Sequence, residues 1–446
     1  MTKICTPKLF LVLALSVAVS TAAHAQIYTD LLNFDSAHGA NPSYPQILAQ
    51  GRDGNLYGTT AFGNDGLGVV FRVTPSGMAR VLHYFNGSDG ARPYSGLTLG
   101  RDGNFYGTTF AGGSNRYGTI FRITPNGKLT TLYNFSPADG QPYVPPIQAA
   151  DGNFYGTAGK TAYRIMPSGT FTSLGSIPGV SYGPLLQGTD GNFYGTTVSG
   201  GTSNFGTVFK MTPNGVVSVA YNFDASVSQP DAPLLEASDG NFYGATVQGG
   251  SNRYGVVFEL TPQRAIVVLH SFPDPNYPND GTNPIAGIVQ ASDGNFYGVT
   301  FSGGLGYGVA FEIIAASAYS ILYSFDSTGG GNPGSTPMQH TNGEIYGLTE
   351  AGGSDNYGVT YSLDLGLGQF VSLLPTAGRV GETVGFLGQG FTGASAVSFN
   401  GSSATFTVES DTYLTAIVPS GATTGAVMVT TPVGTLNSNK AFRVTP

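Results

Sequence analysis

Three sets of residues in this 446-residue chain have the types and spacing to do chemistry. Tyr44, Tyr94, Tyr117, Tyr143, Tyr254 and Tyr277 stand in Asn-, Pro- and Gly-rich stretches. A tyrosine pairs an apolar ring with a polar tip and suits glycan or protein contacts. A second set recurs three residues before a repeated turn: Gln50, Leu99, Gln148, Gln187, Glu236, Gln290 and Gln339. It reads either as a hydrogen-bonded belt around a wet channel or as a polar ligand site with Glu236 as its only charge. The third set is the turn aspartates, Asp53, Asp102, Asp151, Asp190, Asp239 and Asp293. They could ligate calcium, but they are not clustered as in a calcium loop, so turn stabilisation is the expected role.

No catalytic or metal-binding residues emerge from the remaining candidates. His83 and His270 occupy a position that other repeats fill with Tyr133, Tyr221 and Tyr323, which points to packing. His38 and His340 are isolated; no histidine pair has metal-ligand spacing, and no serine-nucleophile elbow is present. Gly388-x-Gly390-x-x-Gly393 matches the dinucleotide fingerprint as a string. The residues that follow are β-type and small polar, whereas pyrophosphate binding needs a helix there. No cofactor is expected.

The elements that would hold these residues come from a repeat. Asp-Gly-Asn-(Leu/Phe)-Tyr-Gly begins at each of the six aspartates, and a worn copy, Asn-Gly-Glu-Ile-Tyr-Gly, begins at Asn342. Successive spacings are 49, 49, 39, 49, 54 and 49 residues. Each unit carries four short β-type stretches, here a to d, joined by Asp-Gly and Pro-Asn-Gly turn chemistry. That pattern predicts an all-β fold, a seven-bladed β-propeller over residues 26–365. The chain opens with a lone d-type strand, Ile27 to Phe34, and the seventh unit stops after strand c. Residues 27–34 are therefore expected to close the ring as the outer strand of the last blade, leaving no open edge. The seven tyrosines from Tyr57 to Tyr346 follow every turn and are expected to pack between blades.

Within such a blade the a–b and c–d turns share one face, and both are tight, so that face is expected to be flat and structural. The b–c and d–a loops are longer and share the other face, where function is expected, or in the channel. The third unit is the exception, with a b–c link of only Gly159-Lys-Thr161. Along strand c the charge changes from Arg72, Arg122, Arg164 and Lys210 to Glu259 and Glu312. Pairing between neighbouring units would account for Lys210 beside Glu259 alone.

Composition narrows the partners. Charged residues are 10% of the chain, against 67 Gly, 25 Tyr and 28 Phe, and the formal charge is −8. A diffusely acidic surface without a basic cluster argues against nucleic acid and anionic membranes. Residues 1–25, with Lys3, Lys8, the apolar run Leu9 to Val19 and Ala23-His-Ala25, read as a signal peptide. No later run is long enough for a membrane span. Cys5, the lone cysteine, lies within that leader, so the exported chain is expected to fold without disulfides.

Asp-Gly-Asn-Phe-Tyr-Gly-Thr-Thr and Gly-Thr-Val-Phe-Lys-Met-Thr-Pro, recurring in register over Ile27 to Leu365, resemble the GloVer tandem-repeat family of bacterial exported proteins. That resemblance implies secretion or cell-surface display (the periplasm being possible) and no established activity. Residues 366–446 lack the repeat. Phe370-Val-Ser-Leu-Leu-Pro-Thr-Ala-Gly378, Gly388-Gln-Gly-Phe391, Val397-Ser-Phe-Asn-Gly401 and Ala426-Val-Met-Val-Thr430 resemble an IPT/TIG domain, which implies a small immunoglobulin-like β-sandwich. The expectation is an exported, non-enzymatic binding or scaffold protein that recognises a polysaccharide or surface protein through the long-loop face. The alternative is a lyase or hydrolase acting at the channel mouth, since the repeat is also similar to that of streptogramin lyases. Those enzymes use a metal held by His and Glu, and the histidines here stand at mismatched positions.

Overall fold

The computed structural model describes residues 26–42, 47–274, 276–277, 279–314 and 318–445. Residues 1–25 and Tyr44 lie outside them. Among the described residues the protein is all-β, without α-helices, and one antiparallel sheet pattern recurs along residues 27–364. The second unit is typical: a Thr98–Leu99, b Phe105–Thr109, c Thr119–Ile123 and d Leu129–Asn134, hydrogen-bonded in that order. The third unit runs b to c through Gly159 and Lys160 alone, between Phe154–Ala158 and Thr161–Ile165.

Strand b explains the Tyr-Gly in each repeat. All five residues of Phe105–Thr109 are buried, because both faces of the sheet are covered and the usual alternation of apolar and polar residues is lost. Its glycine leaves room for an aromatic ring on strand c. A Cβ on Gly107 would stand 2.6 Å from Phe121 Cζ, and one on Gly58 would stand 2.7 Å from Phe71 Cζ. Successive sheets lock together through the neighbouring tyrosine. Tyr57 stacks on Phe105 at 4.0 Å, Tyr106 on Phe154 at 3.9 Å, Tyr155 on Phe193 at 4.2 Å and Tyr243 on Phe296 at 4.4 Å.

Ile27–Asn33 pairs antiparallel with Val359–Asp364, the c strand of the last unit. It reproduces d-strand detail found elsewhere. The register slips between Asp30 and Leu32, as c–d pairing slips in the other units. Asn33 Oδ1 accepts from Ser354 N at 2.7 Å, as Asn134 Oδ1 accepts from Ser114 N at 2.9 Å. Phe34 N donates to Gly358 O as Phe135 N donates to Gly118 O.

After Asp364 the chain builds two further four-stranded sheets. One holds Ser372–Leu374, Thr383–Leu387, Tyr413–Ile417 and Phe406–Ser410; the other holds Ser402–Ser403, Ala396–Phe399, Val427–Thr431 and Gly434–Asn437. They share one core that includes Val384, Phe386, Phe399, Leu414, Val429 and Phe442. A strand, not a helix, follows Gly388-x-Gly390-x-x-Gly393. A side chain at Gly388 would run into the Phe391 ring.

The Asp-Gly face, whose tight turns are structural as expected from the sequence, is not bare. The C-terminal unit sits on it. Thr412 Oγ1 donates to Arg52 O at 2.7 Å, Gln389 Nε2 donates to Thr341 Oγ1 at 2.9 Å, and the Arg52 guanidinium covers the Tyr413 ring at 4.3 Å. Leu374, Leu387 and Tyr413 enter the same apolar cluster as Leu97 and Leu99.

Candidate functional site

On the Asp-Gly face the turn chemistry is repeated almost without change. In the second unit Asn104 N donates to Asp102 Oδ1 at 3.1 Å, Asn104 Nδ2 to Asp102 Oδ2 at 2.7 Å, and the Tyr106 hydroxyl to Asp102 Oδ2 at 2.9 Å. Asp53, Asp151, Asp190, Asp239 and Asp293 are held in the same way. The carboxylates are consumed by the turn. Among the described residues no three His, Cys, Asp or Glu side chains gather in a metal-binding group.

The charge change along strand c also belongs to this turn, and pairing between units is not its cause. Lys210 Nζ lies 2.8 Å from Asp190 Oδ2 of its own unit rather than against Glu259, and Arg72 lies 3.9 Å from Asp53. Where the residue is acidic it takes the other half of the turn. Glu259 Oε1 accepts from Asn241 Nδ2 at 2.8 Å, and Glu312 Oε1 from Asn295 Nδ2 at 2.9 Å. A cation serves the Asp and an anion serves the Asn, so both signs are accommodated.

The Gln and Glu set forms a belt that ties each sheet to the one before it. Gln148 Oε1 accepts from Arg101 N at 2.8 Å, Gln187 Oε1 from Ala150 N at 2.8 Å and Gln290 Oε1 from Ser238 N at 2.9 Å. Gln339 serves Ser292 N at 2.8 Å, and Gln50 joins the last unit to the first through Thr341 N at 3.1 Å. Glu236 takes the same place with both oxygens engaged by Thr189, at 2.9 Å to its N and 2.7 Å to its Oγ1. Leu99 is the exception, because it has no acceptor to offer. At that gap Arg52 donates its guanidinium to Arg101 O, and the C-terminal unit plants its apolar contacts on Leu99.

On the long-loop face one register position changes from unit to unit. Eight residues before the turn Asp stand Tyr94, Tyr143, Tyr182 and then Asp231. With rings from the b–c loops the three tyrosines form a continuous row. Phe62 meets Tyr94 at 6.3 Å, Tyr94 meets Phe110 at 5.5 Å, Phe110 meets Tyr143 at 5.0 Å, and Tyr143 meets Tyr182 at 4.7 Å. All five rings are half-buried. The third unit, which lies between Tyr143 and Tyr182 in the chain, has only Gly159 and Lys160 between strands b and c. Burial, then the neighbouring Tyr182, raises the pKa of the Tyr143 phenol. Burial lifts the Asp231 carboxyl to about 7, so near neutrality it can donate as well as accept.

The proposed tyrosines do not form one site. Tyr94 and Tyr143 belong to the row. Tyr117 is half-buried against a separate cluster with Tyr133 and Phe154, and Tyr254 stands apart on its loop, 49% exposed. Tyr277 packs on Tyr319 at 5.0 Å and near His270 at 5.8 Å. Glu236 lies at the opposite end of the sheets. His83 and His270 pack as rings and also bond to Asp89 at 2.9 Å and Asp280 at 3.1 Å. His38 pairs with Asp35, and buried His340 accepts from Asn342 N while its Nε2 meets Gly54 O at 3.0 Å. Tyr182, Phe62, Phe110 and Asp231 were reachable from sequence by comparing register positions instead of loop composition.

The virginiamycin B lyase of Staphylococcus aureus has a similar fold, with 15% identity over 76% of this chain and 98% of that one, at a TM-score of 0.55. The extracellular domain of the hybrid two component system BT4673 from B. thetaiotaomicron covers 95% of this chain with 60% of its own length, at 11% identity and a TM-score of 0.52. At these identities the likeness concerns the propeller-like fold alone. No curated protein matches the chain by sequence. The repeats at residues 17–181 and 229–388 match the Gloeobacter/Verrucomicrobia repeat, and the chain belongs to that family.

Proposed function

We propose that this is an exported, non-enzymatic glycan-binding protein: a seven-bladed β-propeller over residues 26–365 and an immunoglobulin-like, IPT/TIG-type sandwich over residues 366–446. The observation that carries the reading is the row Phe62, Tyr94, Phe110, Tyr143 and Tyr182 on the long-loop face. Half-buried rings set at angles to one another present apolar faces and edges at intervals, which suit the C–H faces of successive sugars. Asp231, at the next register position, adds a polar group able to donate or accept. In this reading the Asp-Gly face and its belt serve as the rigid frame.

The test is a thermal-melt screen of the purified protein against polysaccharides and their oligosaccharides. A glycan present at about 100 times its Kd adds about 2.7 kcal/mol to stability, and Tyr143→Ala is expected to weaken that binding about tenfold. Stabilisation by glycan that is unchanged in Tyr143→Ala and Tyr182→Ala would place binding elsewhere. A second reading, a lyase or hydrolase, rests on Asp231 as an acid with its pKa near neutrality. It requires glycan cleavage that Asp231→Asn abolishes while binding is kept.

A further inference from the structure

Between the belt and the C-terminal unit lies a cavity of about 530 Å3, within the usual range of a small-molecule pocket. Its floor is made of belt residues Gln148, Gln187, Glu236 and Gln290, and Arg101 stands beside them. Its roof comes from the C-terminal unit, where Lys440 and Arg443 line it. Within the belt itself Glu236 is the only charge; the C-terminal unit and Arg101 bring three cations.

The hydrogen-bonding sense of this wall is one-sided. Gln148, Gln187 and Gln290 must turn Oε1 toward the backbone N–H of the preceding unit, which fixes their amide orientation. Each Nε2 then donates one hydrogen to the carbonyl of its own turn glycine, Gly152, Gly191 or Gly294. A second N–H remains on each amide. Both Glu236 oxygens are held by Thr189. Arg101 donates to Ala149 O and Ala150 O, with Asp151 and Glu382 as its charge partners. Lys440 keeps accessible surface and lines the cavity. No hydrogen bond to Lys440 Nζ is found among the described residues, so its ammonium hydrogens are unengaged by them. The cavity therefore presents donors and positive charge, and its one carboxylate is already occupied.

We propose that this cavity is a second binding site, distinct from the long-loop face, for a small acceptor-rich organic anion of the size of a carboxylated sugar. Its donors are Lys440, Arg443 and the free amide N–H groups of Gln148, Gln187 and Gln290. Such a ligand would contact both the belt and the C-terminal unit and so fix one on the other.

The test is calorimetric titration of the purified protein, at constant ionic strength, with sodium glucuronate, sodium gluconate, inorganic phosphate and glucose. A sugar carboxylate is expected to bind at least about tenfold more tightly than glucose. Lys440→Gln should weaken that binding about tenfold, and Glu236→Gln should strengthen it several-fold by removing the like charge. Glu236→Gln restores the residue found at this position in other units and keeps the belt acceptor, so its folding is secure. No binding of either sugar carboxylate, binding of phosphate alone, equal binding of glucose, or indifference to both substitutions would each overturn the proposal.

Discussion

The two ends of the repeated sheets keep the repeat with very different strictness. At the Asp-Gly end, Asp, Asn, Tyr and Gln return in unit after unit, and each side chain is bonded to a partner within the frame. At the long-loop end, the position held by Tyr94, Tyr143 and Tyr182 becomes Asp231, then Ile285 and Gly334. A frame that must close on itself has to solve one packing problem repeatedly, so its residues recur. The long-loop end has no such need, and divergence within the chain marks where the fold leaves residues free to vary. The third unit sharpens the contrast: its turn and belt contacts are intact although its b–c loop is nearly gone.

The largest effects should come from the repeating core. Phe135→Ala removes a fully buried ring and is expected to cost about 3–5 kcal/mol in urea unfolding. Phe34→Ala, at the matching position of the N-terminal strand and equally buried, should cost a similar amount, about 3–5 kcal/mol. A loss below about 1 kcal/mol at Phe34 would mean that this strand merely decorates the last sheet.

Asp231 should show the opposite behaviour, a divergent residue that burdens the fold. Burial raises its pKa from 3.8 to about 7, so the folded state holds a proton that the unfolded chain has released. Stability contributed by the protonated carboxyl is complete below pH 3.8 and is lost as pH rises toward 7. Asp231→Asn is expected to gain on the order of 2 kcal/mol at neutral pH and above, reduced from the full shift because the group keeps some solvent access, and little in acid. Unfolding measured across that range would show it, and a pH-independent difference would contradict it.

A smaller effect separates two units from the rest. In the third and seventh, the strand-c ring under the glycine is Tyr163 or Tyr361 in place of Phe, and each buried hydroxyl lacks a hydrogen-bond partner among the described residues. Tyr361→Phe should stabilise the protein by about 1 kcal/mol; destabilisation would mean that the hydroxyl has a partner, such as a bound water.

Much of the frame was legible because the physics is local and repeated. Tyr57 and its counterparts stand beside every turn, and a residue that recurs at one register position must make one recurring contact. The lone strand at Ile27 was legible because four stretches per unit leave the last unit one short. Leu99 could not be understood from the ring, because its partner, Tyr413, lies more than 300 residues away in a unit without the repeat. The aromatic row was half visible. Tyr94 and Tyr143 were found by their loops, while Phe110 and Tyr182 join them only through the spacing of neighbouring units. Lys440 carried no sequence signal at all, since a lysine in a polar turn looks like any surface cation until the cavity beneath it is seen.

The most direct test of the central claim is the affinity of Tyr94→Ala/Tyr143→Ala/Tyr182→Ala for the glycan that stabilises the native protein. Recognition by the long-loop face predicts a loss of about 100-fold or more with the unfolding transition kept, since the rings are only half-buried. Native affinity in that triple variant would contradict recognition by the long-loop face.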